Sequence, residues 1–417
     1  MRYHHFSVKN WAVAGWQLGW VLALLLATTG ADWQRFRGPN GSGIGSGAMD
    51  APGKWTVADN LAWKVRLPGR GVSSPLIVKD YVVLTASSGY RQDQLHVLCF
   101  DRRTGKLAWE RQFWATGRTM TYPTITTATP TGVSDGENLY LWFSSNDVFC
   151  LDLQGNVQWL RGLMLEYPNA SNSLGLATSA VVANGTLVLQ VENDSQSIAL
   201  GLDAKRGSTL WKIDRPQKAN WTTPLMLSDA NDRDAVVMLQ SSSEIAALEV
   251  ATGKSLWRIE RECSTIPSSV FADGLLLVPS NGLVAMRTQG TTRQPEVVWE
   301  NNKLKPSTAS PVVWQDRVYV ISSGVLKCAS CQTGEVIWQV RLKGDFSASP
   351  VIGGSYLYAF NDEGVGQVVQ LGTDKGELIT EENLEEIILA TPALVDGEIY
   401  VRSDNSLWKI SASPNAP

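Results

Sequence analysis

Histidine is nearly absent from this chain. Of three in 417 residues, His4 and His5 fall in an N-terminal stretch with the features of a removable leader, which leaves His96. A lone histidine cannot build a His-rich zinc site, and it argues against Ser-His-Asp catalysis. The five cysteines, Cys99, Cys150, Cys263, Cys328 and Cys331, are too few and too scattered for a disulfide framework, although export would permit a bridge. Cys328-Ala-Ser-Cys331 is a CxxC, but Gln332 stands where haem attachment needs His. Charge is scarce too, at 18% of residues against about 25% in an average soluble chain. The net charge of −4 supplies no basic excess for nucleic acid. There is no GxSxG, HExxH or P-loop, and no long stretch keeps a helical 3.6-residue period.

The first 31 residues have the form of a secretory signal. Arg2 and Lys9 give a positive start, Val21 to Ala27 is the densest apolar run, and Thr29-Gly-Ala31 offers small residues for cleavage before Asp32. The apolar stretch extends back to Trp11, so an uncleaved anchor is the competing reading. No Cys lies near the cleavage site, so this is not a lipoprotein signal. An exported product, periplasmic or extracellular and with no stable membrane span after cleavage, is expected.

What the chain has in abundance is tryptophan, 17 in all, and much of it is periodic. A unit of about 45 residues recurs: Ser/Thr-x-Pro, an apolar strand, an Asp-Gly turn, two further strands, an Asp-x-x-Thr-Gly turn, and a last strand ending in Trp. The first copy runs from Ser73-Ser-Pro75 to Asp101-Arg-Arg-Thr-Gly105 and Trp109. The closing tryptophans fall at 63, 109, 159, 211, 257, 299 and 338, with an eighth position, Ile379, that has lost its Trp. The strand-opening Pro or its remnant recurs at 75, 130, 180, 224, 269, 311, 350 and 392. Length alone suggests two or three domains, but eight copies overturn that. A four-stranded unit cannot bury both faces, so the units must stack radially. An all-β, eight-bladed propeller of four-stranded blades follows, spanning 55–410 between a flexible lead-in (32–54) and a tail (411–417). Its last copy ends one strand short at Leu407-Trp-Lys-Ile410, and Asn60 to Val65 has the form of the missing strand, so the N-terminal strand closes the ring.

These repeats resemble the PQQ-like (quinoprotein alcohol dehydrogenase-like) β-propeller family. The resemblance rests on the docking pattern small-x-Asp-x-x-Thr-Gly-x-x-x-Trp, matched fully from Cys99 to Trp109. Cys150, Gly201, Ala247, Ala285 and Cys328 occupy the same small slot in later copies. Within that family the chain is most similar to non-catalytic exported bacterial members, including the outer-membrane assembly (BamB) type, though without a lipidation Cys. The lead-in Asp32-Trp-Gln-Arg-Phe-Arg-Gly38 also looks like that of a secreted bacterial branch. The quinone-dependent dehydrogenases of the family often carry adjacent cysteines over the cofactor, and no Cys-Cys occurs here.

The resemblance implies a non-enzymatic scaffold that binds a protein, peptide or glycan partner in the cell envelope, with no cofactor. The alternative is an oxidoreductase using PQQ and a divalent ion. Partner-binding residues are expected on three long connections of one face: Arg118 and Tyr122, with Trp114, on 112–127; Tyr167, Asn169 and Asn172 on 160–177; and Asn220 and Trp221 on 213–222. No catalytic or metal residue is assigned. Asp229-Ala-Asn-Asp-Arg-Asp234 fails the EF-hand pattern and fits a hairpin better than a calcium loop. Glu381, Glu382, Glu385 and Glu386 are expected on a solvent-facing short helix or loop. Gly41-Ser-Gly-Ile-Gly45-Ser-Gly47 lacks nucleotide-binding spacing and is expected to be flexible.

Overall fold

The computed structural model describes Met1 and residues 32–45, 51–171, 173–227 and 235–412. The leader, Asn172 and the segment Asp229–Asp234 lie outside the described residues. Eight four-stranded antiparallel sheets stand as the blades of a ring. Blade 1 is built from Leu76–Val78, Tyr81–Ser88, Gln94–Asp101 and Leu107–Trp114, and blades 2 to 7 repeat that order along the chain. Blade 8 takes Ala393–Val395, Glu398–Arg402 and Ser406–Ser411 from one end of the chain and Leu61–Arg66 from the other. Trp63 lies opposite Lys409 and Val65 opposite Leu407, so the N-terminal strand closes the ring as expected.

Burial across a blade follows its position. Inner strands are covered on both faces and are apolar almost throughout, as in Thr186–Val191, where every residue is buried. Outermost strands such as Thr209–Asp214 are half exposed and carry the charged residues.

Apart from Trp63, which faces Lys409, each closing Trp lies directly opposite its small residue: Trp109 against Cys99, Trp211 against Gly201, Trp338 against Cys328. Its indole N–H then donates across the blade boundary. Trp109 bonds Leu153 O at 2.9 Å, Trp211 bonds Val250 O at 2.8 Å and Trp299 bonds Cys331 O at 2.8 Å. The ring covers the turn glycine of the next blade. At Gly105, with φ of 69°, a Cβ would sit 2.7 Å from the Trp63 ring, so both the left-handed backbone and the close approach demand glycine.

In blade 7 the residue opposite Val368 is Thr380; Ile379 falls in the bulge one residue earlier. The loss of Trp there has a structural reason. In blade 8 the third and fourth strands come from opposite chain ends, so there is no Thr-Gly turn for a tryptophan to cover. The lead-in builds that joint instead. Tyr358 donates to Ala51 O (2.7 Å), Thr380 to Gly53 O (2.9 Å), and Trp55 packs on Phe360 with ring centroids 6.3 Å apart.

A second ring surrounds the axis. Ser74, Thr131, Ser179, Thr223, Ser268, Ser310, Ser349 and Thr391 each lie two residues before one of the eight innermost strands. Seven of the eight hydroxyls accept the backbone N–H of the equivalent residue in the preceding blade at 2.9–3.1 Å. The series breaks between blades 8 and 1, where Ser74 Oγ is buried with no partner. The Ser/Thr directly before the strand-opening Pro, the middle residue of the repeat motif, is therefore a blade-to-blade clasp. In blade 2 the register places it at Thr131-Gly132 and not at Thr129-Pro130.

The lead-in differs from the flexible segment expected. Trp33 exchanges two backbone bonds with Ile77 of blade 1 (2.8 and 3.0 Å), and Gln34 O accepts from Ser134 of blade 2. Gly43 and Gly45 bond Ile352 of blade 7. Residues 32–45 thus cross the axis beneath the hydroxyl ring. Glu381 and Glu382 also differ from expectation: they belong to the strand Gly376–Asn383, and the two remaining glutamates follow it.

Candidate functional site

The connections from each outermost strand to the next innermost strand gather on one face, which we call the loop face. At its centre they form a funnel of about 490 Å³ over the axis. Phe36 of the lead-in makes its floor, and seven members of the hydroxyl ring surround its base. Higher up, the wall consists of Tyr122, Ile125, Leu174, Trp221, Ile266 and Leu389. The volume is that of a ligand or of a few inserted side chains. No Asp, Glu, Lys or Arg lines it.

The residues singled out from the sequence divide. Tyr122 and Trp221 reach the funnel. Tyr122 is 54% exposed at the rim, and its backbone N–H bonds Leu174 O. Trp221 is pinned by its indole to Gly175 O (2.8 Å) and by its backbone to Thr265 O. Arg118 is exposed beside Met120, with Nη2 at 3.8 Å from Sδ. Asn169 is exposed, while Tyr167 packs against the blade 2–3 core under Lys212. Asn220 is buried, and its amide donates to Thr222 Oγ1 and Gln240 O, so it shapes the connection from within. Trp114 (66% exposed) and Met120 add to the apolar surface on the same connection as Tyr122.

The structure adds a polar cluster with no sequence signature. Between blades 3 and 4, buried Arg215 donates to Glu192 (3.0 Å), Glu244 (2.7 Å) and Ser241 (2.7 Å). Burial lifts the Glu192 carboxyl above its ordinary range, although Arg215 opposes the shift. Glu192, Arg215 and Glu244 sit at strand ends remote in sequence, and none belongs to a motif. His96 is likewise internal, bridging Ser88 Oγ and Glu110 Oε1 at 2.7 Å each. All five thiols are free and buried. Burial pushes Cys328 up to about 11 and Cys331 to about 12, which leaves the CxxC pair unionised at neutral pH.

PQQ with a divalent ion does not fit the funnel. The cation would need carboxylate or amide ligands, and the lining offers hydroxyls and hydrocarbon. Among the described residues, no three metal-ligating side chains converge anywhere in the ring.

Fold and site together define an eight-bladed propeller of the PQQ-like type, with an uncharged funnel at the centre of its loop face. The family described as "Outer membrane protein assembly factor BamB" matches residues 54–199, 177–263, 202–330 and 322–414, and the chain belongs to it. BamB of Moranella endobia (strain PCIT) is 23% identical over 233 residues, which is 55% of this chain and 53% of that relative. The chain therefore spans about half the length of the curated relative it matches. Among solved structures, BamB from Moraxella catarrhalis superposes with a TM-score of 0.63 at 17% identity, covering 86% of this chain and 98% of that one. The quinohemoprotein alcohol dehydrogenase of Comamonas testosteroni superposes at 0.64 with 12% identity, over 93% and 81%. At these identities the structural likeness speaks for the fold alone.

Proposed function

We propose that the protein is an exported scaffold that holds a protein partner on its loop face, in the service of outer-membrane protein assembly. The observation that carries this is the apolar rim around an uncharged funnel. Trp114, Met120, Tyr122, Leu174 and Ile266 stand 45–66% exposed on the loop face, and the wall behind them is hydrophobic. Clustered exposed aromatic and aliphatic side chains on a rigid ring fit a protein interface better than they fit bulk solvent. Family membership supports the assembly role, and the leader-like first 31 residues support export.

Photo-crosslinking in intact cells tests this directly. A crosslinker at Tyr122 should capture one defined envelope protein, and Trp114→Ala should reduce the adduct at least tenfold. A crosslinker at Leu210, exposed on the outer surface of blade 3, is the control. No adduct from position 122, or the same adduct from both positions, would overturn the proposal.

A further inference from the structure

Arg37 is 1% exposed on the propeller axis, at a residue whose φ of 62° lies in the left-handed region. Its guanidinium donates to two backbone carbonyls, Pro311 O and Ser269 O. Its Nε–H has no partner, and among the described residues no carboxylate pairs with it. Burial lowers its pKa only to about 10, so the group stays cationic at neutral pH. Carbonyl dipoles solvate such a charge in part, but they do not neutralise it.

Beside Arg37 lies a cavity of about 20 Å³, bounded by the lead-in and by blades 3 to 5. It has room for one occupant the size of a water molecule. Two members of the hydroxyl ring, Thr223 and Ser268, line it. Each uses its oxygen to accept a backbone N–H from the preceding blade. Their hydroxyl hydrogens are then left to donate, into this space or into the funnel that both residues also line, and among the described residues no protein acceptor takes them. The rest of the lining is largely apolar, with Phe36, Val181, Leu225 and Met226, and no carboxylate belongs to it.

We propose that the cavity is a site for one small monovalent anion, halide in size, held by Arg37 with the hydroxyls of Thr223 and Ser268. A guanidinium and two hydroxyls in a largely apolar lining suit a singly charged ion better than a divalent phosphate or sulfate. An anion there would neutralise the buried guanidinium and fasten the lead-in to the blades it crosses. This does not depend on what the loop face binds.

The test uses the mature chain. Crystals soaked in bromide should show an anomalous peak in this cavity. In solution, replacing gluconate by chloride at constant ionic strength should raise the melting temperature by roughly a few degrees. Arg37→Met should abolish that response. A cavity that holds only water in bromide would overturn the proposal, as would a wild-type melt indifferent to chloride. So would a folded Arg37→Met protein that still responds. If that variant does not fold, the bromide map and the wild-type titration decide.

Discussion

Gly201 and Trp211 face each other across adjacent strands of blade 3, so closely that a Cβ on Gly201 would lie 2.2 Å from the indole. The ring has no room to retreat. Its N–H is bonded to Val250 O of blade 4, and its other face covers Gly253. Gly201→Ala should therefore act as overpacking and cost about 1–3 kcal/mol. The same slot holds Cys99 and Cys328 in blades 1 and 6, so Cys→Ala at those positions should cost less than Gly201→Ala. Thermal melts of the three single variants check the order.

The propeller was legible in the sequence because its main clasp is periodic: a Trp, a small residue opposite it and a Thr-Gly turn recur at fixed offsets. Where the period carries an irregularity, the register slips. Pro130 suggested a strand opening at Thr129, whereas pairing of Val133 with Tyr140 puts the clasp hydroxyl on Thr131. Ile379 was one residue short of Thr380, which faces Val368 beside the bulge between Val368 and Val369. The funnel was only partly visible. Tyr122 and Trp221 stand on long connections that could be picked out, but Phe36 belongs to a glycine-rich segment with no periodicity. Nothing local foretells that Trp33 pairs with Ile77 of blade 1, or that Arg37 and Gly43 reach blades hundreds of residues away. The Glu192–Arg215–Glu244 cluster was illegible for the same reason, since it exists only once blades 3 and 4 are stacked.

That cluster gives a second prediction. Arg215→Met would leave Glu192 buried without a guanidinium, while Glu244 keeps its second ion pair with Arg258, at a cost of roughly 3 kcal/mol. The pH dependence follows from linkage. A carboxyl whose pKa is higher in the folded state binds its proton more tightly there than in the unfolded chain, so stability falls as pH rises from the ordinary carboxylate range through the raised value. Without Arg215 the rise is larger, and the fall should extend further towards neutral pH. Adding Glu192→Gln should flatten it. Melting temperature against pH for the single and double variants measures both effects, and a double variant as steep as the single one would place the titrating group elsewhere.

The buried thiols give a third. With Cys328 and Cys331 near 11 and 12, the thiolate that attacks an alkylating reagent is scarce at neutral pH, and burial blocks access as well. Iodoacetamide should leave all five cysteines of the folded protein unmodified and label all five after denaturation, as counted by intact mass. Rapid labelling of the Cys328–Cys331 pair in the folded state would instead point to redox chemistry there.

The joint where the ring closes gives the last. Glu386, just past blade 7, receives Lys64 of the N-terminal strand at 2.7 Å and the hydroxyls of Ser403 and Ser406 from blade 8. Burial alone would raise its carboxyl, but those three donors outweigh it and hold the pKa below the ordinary glutamate value. A depressed carboxyl stabilises the fold at pH above its unfolded value, and that contribution is lost as pH falls through the folded value. Acid should therefore loosen the clasp between the two chain ends. Glu386→Gln should lower the melting temperature at neutral pH and weaken its decline below roughly pH 4.5. Hydrogen exchange on Leu61–Arg66 is the local check, because acid should speed exchange of this strand in the wild type while Glu386→Gln exchanges fast at every pH. A closing strand equally protected in both proteins would show that backbone pairing with Ser406–Ser411 and the docking of Trp63 hold the ring shut without the glutamate.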